Sequence, residues 1–120
     1  MAWWASTESA FPGHNDASTR AYVRHLDHVL HVVGPMHVAL GLDHVFDQKA
    51  LDDYVTSMRH AFPVGMGYGT GVKMVRPEQL PSVVEALLKL GYRDEDVRAV
   101  LGEDWMRVAR SAWNPASVIP

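Results

Sequence analysis

Met36-His37-Val38-Ala39-Leu40-Gly41-Leu42-Asp43 is a continuous apolar run, entered from Gly34-Pro35 and left through a polar turn. A run of this length without a polar face predicts one buried β-strand over about 36–42, covered on both sides as in a parallel sheet flanked by helices. Such a strand delivers Asp43 at its C-terminal end. Barrels and doubly wound sheets keep their chemistry beyond the carboxyl ends of their strands, which makes Asp43 a candidate catalytic or ligand group. An aspartate after a strand also serves as a turn residue or helix N-cap, so position alone does not decide its role.

Outward from this strand the chain reads as helices. Before it, Tyr22, Leu26, Val29 and Val33 fall at i, i+4, i+7 and i+11 on one helical face, with Asp16, Ser18 or Thr19 available as cap and Gly34-Pro35 as stop. After it, Asp47 is expected to cap a second helix running to about His60, with Leu51, Tyr54, Val55, Met58 and Phe62 on its apolar side. Pro77-Glu78-Gln79-Leu80-Pro81 opens a third helix with a Val84, Leu87 and Leu88 stripe, ended by Gly91. A short helix follows from Arg93 or Asp94 with Val97, Val100 and Leu101, closed by Gly102. Asp104 caps the last, from which Trp105, Val108, Ala109, Ala112 and Trp113 are expected to face inward. The predicted organisation is one partial domain: a loop over 1–15 carrying Trp3, Trp4 and Phe11, a βα and helical region over 16–113, and an extended tail over 114–120.

Between the second and third helices, Gly65, Gly67, Gly69 and Gly71 alternate with other residues. No Gly-Lys-Ser/Thr follows and no strand precedes, so a tight surface loop or pocket lid fits better than a phosphate cradle. Tyr68 in that loop either lines a substrate pocket or anchors the loop.

Composition narrows the classes. The chain has 120 residues, 48% of them hydrophobic, with 11 basic against 14 acidic side chains and a net charge of −3. No basic stripe appears, so nucleic acid is not an expected partner. The absence of cysteine excludes a disulfide framework and thiolate metal sites. No apolar run is long enough for a membrane span and the short Met1-Ala2-Trp3-Trp4-Ala5 start lacks a basic flank, so no membrane partner and a cytoplasmic location are expected. His25, His28 and His31 lie three apart on one helix, where His28 and His31 can pinch a zinc ion with Asp27, or all three stay solvated or pack over a neighbouring element. Asp43, His44 and Asp47 form a second cluster, in which Asp47 reads as a plain N-cap.

From the first helix onward the chain resembles the C-terminal part of the membrane dipeptidase (renal dipeptidase) family, zinc peptidases built on a (β/α)8 barrel. The matching stretches are His25-Leu26-Asp27-His28-Val29 and Val38-Ala39-Leu40-Gly41-Leu42-Asp43-His44-Val45-Phe46-Asp47. They continue with Pro63-Val64-Gly65-Met66-Gly67-Tyr68-Gly69, Pro77-Glu78-Gln79-Leu80-Pro81, Leu90-Gly91-Tyr92 and Leu101-Gly102-Glu103-Asp104-Trp105-Met106-Arg107-Val108. The resemblance implies that residues 36–42 are the last barrel strand. It also implies that Asp43 lies against a two-zinc centre and handles the proton of the attacking water or the leaving amine. The zinc ligands themselves, a His-x-Asp pair, a bridging Glu and two further His, belong to earlier strands, so no metal ligand is assigned on this chain. A complete barrel needs about 250 residues, which makes this chain the expected C-terminal portion of one.

Three positions depart from the family pattern. His44 stands where an aromatic is usual, with Val45-Phe46 inserted before Asp47; Glu103-Asp104 replaces a Gly-Asn pair; and Arg93 replaces a Ser cap. His44 bears on substrate fit, the other two on helix ends. Two functions are therefore expected in competition. One is the C-terminal segment of a zinc-dependent dipeptidase-like hydrolase, acting on a dipeptide only with the metal-bearing remainder of the barrel, with Asp43 catalytic and Tyr68 and His44 near the substrate. The other is a non-catalytic, self-associating small helical protein that binds no metal.

Overall fold

A computed structural model describes residues 16–64, 68, 71 and 73–113, so the expected loop over 1–15, the tail over 114–120 and Gly65, Gly67 and Gly69 lie outside the described residues. Five helices follow one another among those residues: α1 (Thr19–Val33), α2 (Gln48–Ser57), α3 (Leu80–Lys89), α4 (Asp94–Arg98) and α5 (Asp104–Trp113).

The ends of α1 follow from local chemistry. Ser18 is its N-cap, its Oγ accepting from the Ala21 N–H at 3.2 Å, while Asp16 Oδ1 accepts from the Ser18 N–H at 2.9 Å. At the other end Gly34 adopts φ 81°, which a side chain would resist, and its N–H closes on the Leu30 carbonyl at 2.9 Å. The buried face is Tyr22, Val23, Leu26 and Leu30; Val29 is half-buried and Val33 exposed, so the buried stripe is turned from the one the spacing predicted.

The main correction concerns residues 36–42, for which a β-strand is expected and none forms; the described residues contain no strand at all. Pro35 fixes a helical φ and opens a 3-10 turn, Pro35–His37, that absorbs Met36 and His37. The chain becomes extended at Val38, with φ −124° and ψ 129°. Extended backbone is only half of a strand, because the ladder needs a neighbour to exchange main-chain hydrogen bonds, and no second extended partner is present among the described residues. The segment is instead pinned by helix-side groups. The Leu40 N–H donates to the Val100 carbonyl at 3.1 Å, the Trp105 indole N–H to the Leu40 carbonyl at 3.3 Å, and Arg107 Nη2 to the Met36 carbonyl at 2.8 Å.

One core gathers α1, the extended segment, α3 and α4: Tyr22, Leu26, Leu30, Val38, Val75, Val83, Leu87, Val97 and Val100 are buried together, with Leu40 and Leu42 packed against them. The α3 helix is entered through the 3-10 turn Pro77–Gln79, where Gln79 Oε1 accepts from the Arg76 N–H at 2.8 Å. It ends as predicted at Gly91, with φ 92°. Arg93 has no side-chain acceptor to offer at the α4 N-terminus, and Asp96 makes the reverse half of a capping box by accepting the Arg93 N–H at 3.3 Å. The α2 helix is capped by Asp47, whose Oδ1 accepts from the Ala50 N–H at 2.9 Å. Its single buried residue, Val55, lies outside the main core cluster.

A second correction concerns α5. Trp105, Val108 and Trp113, expected to face inward, are 49%, 49% and 80% exposed, whereas Asp104 is 5% exposed. The reason is where α5 docks: its first turn is tied to the extended segment, so Trp105 and Val108 border a trough beside that segment instead of entering the core, while Trp113 stands in solvent.

Candidate active site

Three tethers to residues 36 and 40 hold the extended segment, and the chain leaves it through Asp43 at φ 49°. A non-glycine residue in the left-handed region is uncommon, and Asp is among the few side chains that tolerate it, since it is short and polar. Here it turns the main chain at the end of the apolar run and leaves the carboxylate exposed, with no hydrogen-bond partner among the described residues. Local backbone strain is a recurrent property of functional positions.

His44 follows, half-buried, its Nδ1 buried without a hydrogen-bond partner among the described residues. Its ring meets Phe46 edge-on at 4.9 Å, and Phe46 itself is largely exposed. A charged His44 also contributes, as the smallest of several causes, to holding the Glu78 carboxyl below its ordinary range. The first cause there is the main-chain N–H of Glu78, followed by Arg76 at 3.4 Å. Glu78 is thus an electrostatic neighbour of His44, and separated by thirty-odd residues of chain it gave no sequence signal of being one. Asp47 is consumed by its cap.

Tyr68 is tied elsewhere. Arg59, in the turn after α2, donates through Nη1 to the Tyr68 carbonyl and through Nη2 to Thr56 Oγ1 at 3.3 Å. The Tyr68 ring packs edge-on against Phe62 at 5.1 Å, and Phe62 against Tyr54 at 5.9 Å. These contacts are those of a loop anchor. The structure therefore brings Asp43 and His44 together as chain neighbours and gives Tyr68 a structural occupation.

Of the α1 histidines, His31 is tied into a hydrogen-bonded cluster. His31 Nδ1 lies 2.8 Å from the Asp27 carbonyl, and Asp27 Oδ1 accepts from the Tyr92 hydroxyl at 2.7 Å, joining α1 to the end of α3. Burial, and secondarily the charge of His28, push the His25 imidazole below its ordinary pKa. Among the described residues no group of three or more His, Asp or Glu is disposed to hold a metal ion.

Beside the extended segment lies an apolar trough of about 610 Å3 between α1 and α5, floored by residues 36–41. Of its two charged members, Asp104 was read from sequence as a cap and Arg107 was given no role of its own. Asp104 Oδ1 accepts from Arg107 Nε at 3.1 Å, while its Oδ2 is buried without a partner among the described residues. The sequence signal for this was faint: an aspartate flanked by Trp105 and Val108 on the same turn.

Comparison with known proteins adds one match. A family model described as membrane dipeptidase (peptidase family M19) covers residues 6–119. No curated protein matched, and no solved structure matched.

Proposed function

This chain belongs to the membrane dipeptidase family, and we propose that it is the C-terminal portion of a dipeptidase-like hydrolase whose metal-bearing remainder completes a (β/α)8 barrel around it. The observation that supports this most is Asp43, an exposed carboxylate held at the end of an extended apolar segment by a left-handed turn, in the position that a barrel reserves for catalytic groups. An aspartate so placed does proton transfer: it takes a proton from the attacking water and returns one to the leaving amine as the peptide bond of a dipeptide breaks. His44, adjacent and half-buried, is placed to shape the substrate's surroundings, and Tyr68 acts at a distance by fixing its loop. Zinc, which family membership implies, is assigned to the remainder, because the described residues of this chain offer no cage for it.

The test is reconstitution. The chain, mixed with the metal-bearing portion of a family member, is expected to hydrolyse a dipeptide. Asp43→Asn is expected to lower turnover by about 10²–10⁴-fold, the usual worth of a positioned acid or base, with folding and association unchanged. Undiminished turnover in Asp43→Asn would overturn the role. A second reading, self-association without catalysis, is favoured by one observation: Val33, Met36, Trp105 and Val108 are each roughly half exposed around the trough. A metal-free oligomer of the chain that ignores the remainder would decide for it.

A further inference from the structure

The turn at Asp43 hands the chain directly to His44, Val45 and Phe46, before Asp47 caps α2. Phe46 therefore stands one residue ahead of a helix cap. An apolar side chain in that place ordinarily packs back against the residue four into the helix, here Leu51, and so fixes how the chain enters. Phe46 does not pack there: it is 87% exposed, more than any other large apolar side chain among the described residues. Its ring turns instead to His44, which it meets edge-on at 4.9 Å. His44 is itself half-buried, with Nδ1 out of reach of solvent, so it is an anchored base for that ring. The residues after the candidate catalytic carboxylate thus hold an aromatic face out into solvent, where folding alone gives it nothing to cover.

Reach and charge say what covers it. Three residues of chain span at most about 10 Å, which puts Phe46 beside any substrate whose reacting bond lies at Asp43. The leaving amine to which Asp43 returns a proton belongs to the C-terminal residue of a dipeptide, so that residue's side chain is one bond nearer to Asp43 than the other. The surroundings are acidic. Asp43 and Asp47 bracket the shelf along the chain, and Glu78, kept ionised first by its own main-chain N–H, lies within electrostatic reach of His44. An acidic side chain would be brought among these carboxylates. An aromatic one instead gains ring contacts and leaves water.

We infer that His44 and Phe46 form the specificity shelf of the site, against which the C-terminal side chain of a dipeptide packs when it is aromatic or large and apolar. This deepens the proposed function and rests on it for the position of the reacting bond. Phe46 determines specificity: it touches the substrate's side chain and none of the reacting atoms.

A dipeptide series tests it, on the chain reconstituted with the metal-bearing portion of a family member and zinc. Compared by kcat/KM, Ala-Phe should exceed both Ala-Gly and Ala-Glu by about tenfold or more, the worth of an aromatic contact together with its buried area. Phe46→Tyr should keep the ratio of Ala-Phe to Ala-Gly, and Phe46→Ala should bring it close to unity. Equal values for Ala-Phe and Ala-Gly, a ratio that survives Phe46→Ala, or a preference for Ala-Glu would each overturn the shelf while leaving the proposed hydrolysis in place. If no dipeptide is hydrolysed, the proposed activity falls, and the NMR signals of the His44 and Phe46 rings decide the shelf alone. Shifts on adding Ala-Phe but not Ala-Gly uphold it; shifts with neither, or with both alike, overturn it.

Discussion

Asp43 answers to two demands, and they can be separated by substitution. Its φ of 49° is a conformation that glycine adopts without strain and most side chains resist. Asp43→Gly should therefore leave the chain as stable as before, or raise its stability by up to about 1 kcal/mol if the turn is all that matters to folding, while removing the carboxylate that turnover needs. Asp43→Ala should cost about 1 kcal/mol or more, read as a shift in the urea midpoint at constant slope. Tyr92 gives a second residue-level prediction. Burial and the Asp27 carboxylate that its hydroxyl bonds raise its pKa to about 12. A folded pKa above the unfolded value of 10 means that the stabilisation is complete below pH 10 and lost as pH rises from 10 towards 12. Tyr92→Phe should abolish that loss in an alkaline denaturation series, and a wild-type profile already falling below pH 10 would contradict it. At this scale much was legible: Ser18, Asp47 and Gly91 do what short-range chemistry requires of a cap or a stop. The left-handed turn at Asp43 and the unpartnered oxygen of Asp104 were not legible, because both depend on what the rest of the chain packs around them.

The elements divide into those packed in the common core and those left largely exposed. The α3 helix has its neighbours: Leu87 and Val83 are 1% and 0% exposed in the common core. Leu87→Ala should cost about 2–5 kcal/mol. Trp113 on α5 is 80% exposed, so Trp113→Ala should change stability by no more than about 0.5 kcal/mol, despite the helical spacing that placed it inside. Thermal melts of the two variants check both, and a large loss in the second would show that α5 packs otherwise. The same division explains the apolar run at 36–42. Its composition predicts a segment covered on both faces, but of its residues only Val38 is buried and Met36 is 53% exposed, because composition is all that a sequence pattern reads. Whether it becomes a strand depends on a ladder partner, and the described residues supply Val100, Trp105 and Arg107 in place of one.

For the whole molecule, the arrangement is a helical core with unfinished surfaces. Val38, Leu40 and Leu42 of the extended segment pack on the core, while Ala39 and Gly41 keep main-chain groups unpaired; α2 stays outside the core cluster. Among the described residues no helix is long and apolar enough to cross a membrane. Membership of the membrane dipeptidase family and the lack of a metal-holding group among the described residues fit the proposed reading, in which the chain works as one portion of a larger barrel. A native mass spectrum of the 120-residue chain, recorded alone and with the metal-bearing barrel portion in the presence of zinc, puts that directly to the test. The account predicts a one-to-one complex that carries zinc. Metal-free oligomers of the chain alone, unchanged by the barrel portion, would contradict it.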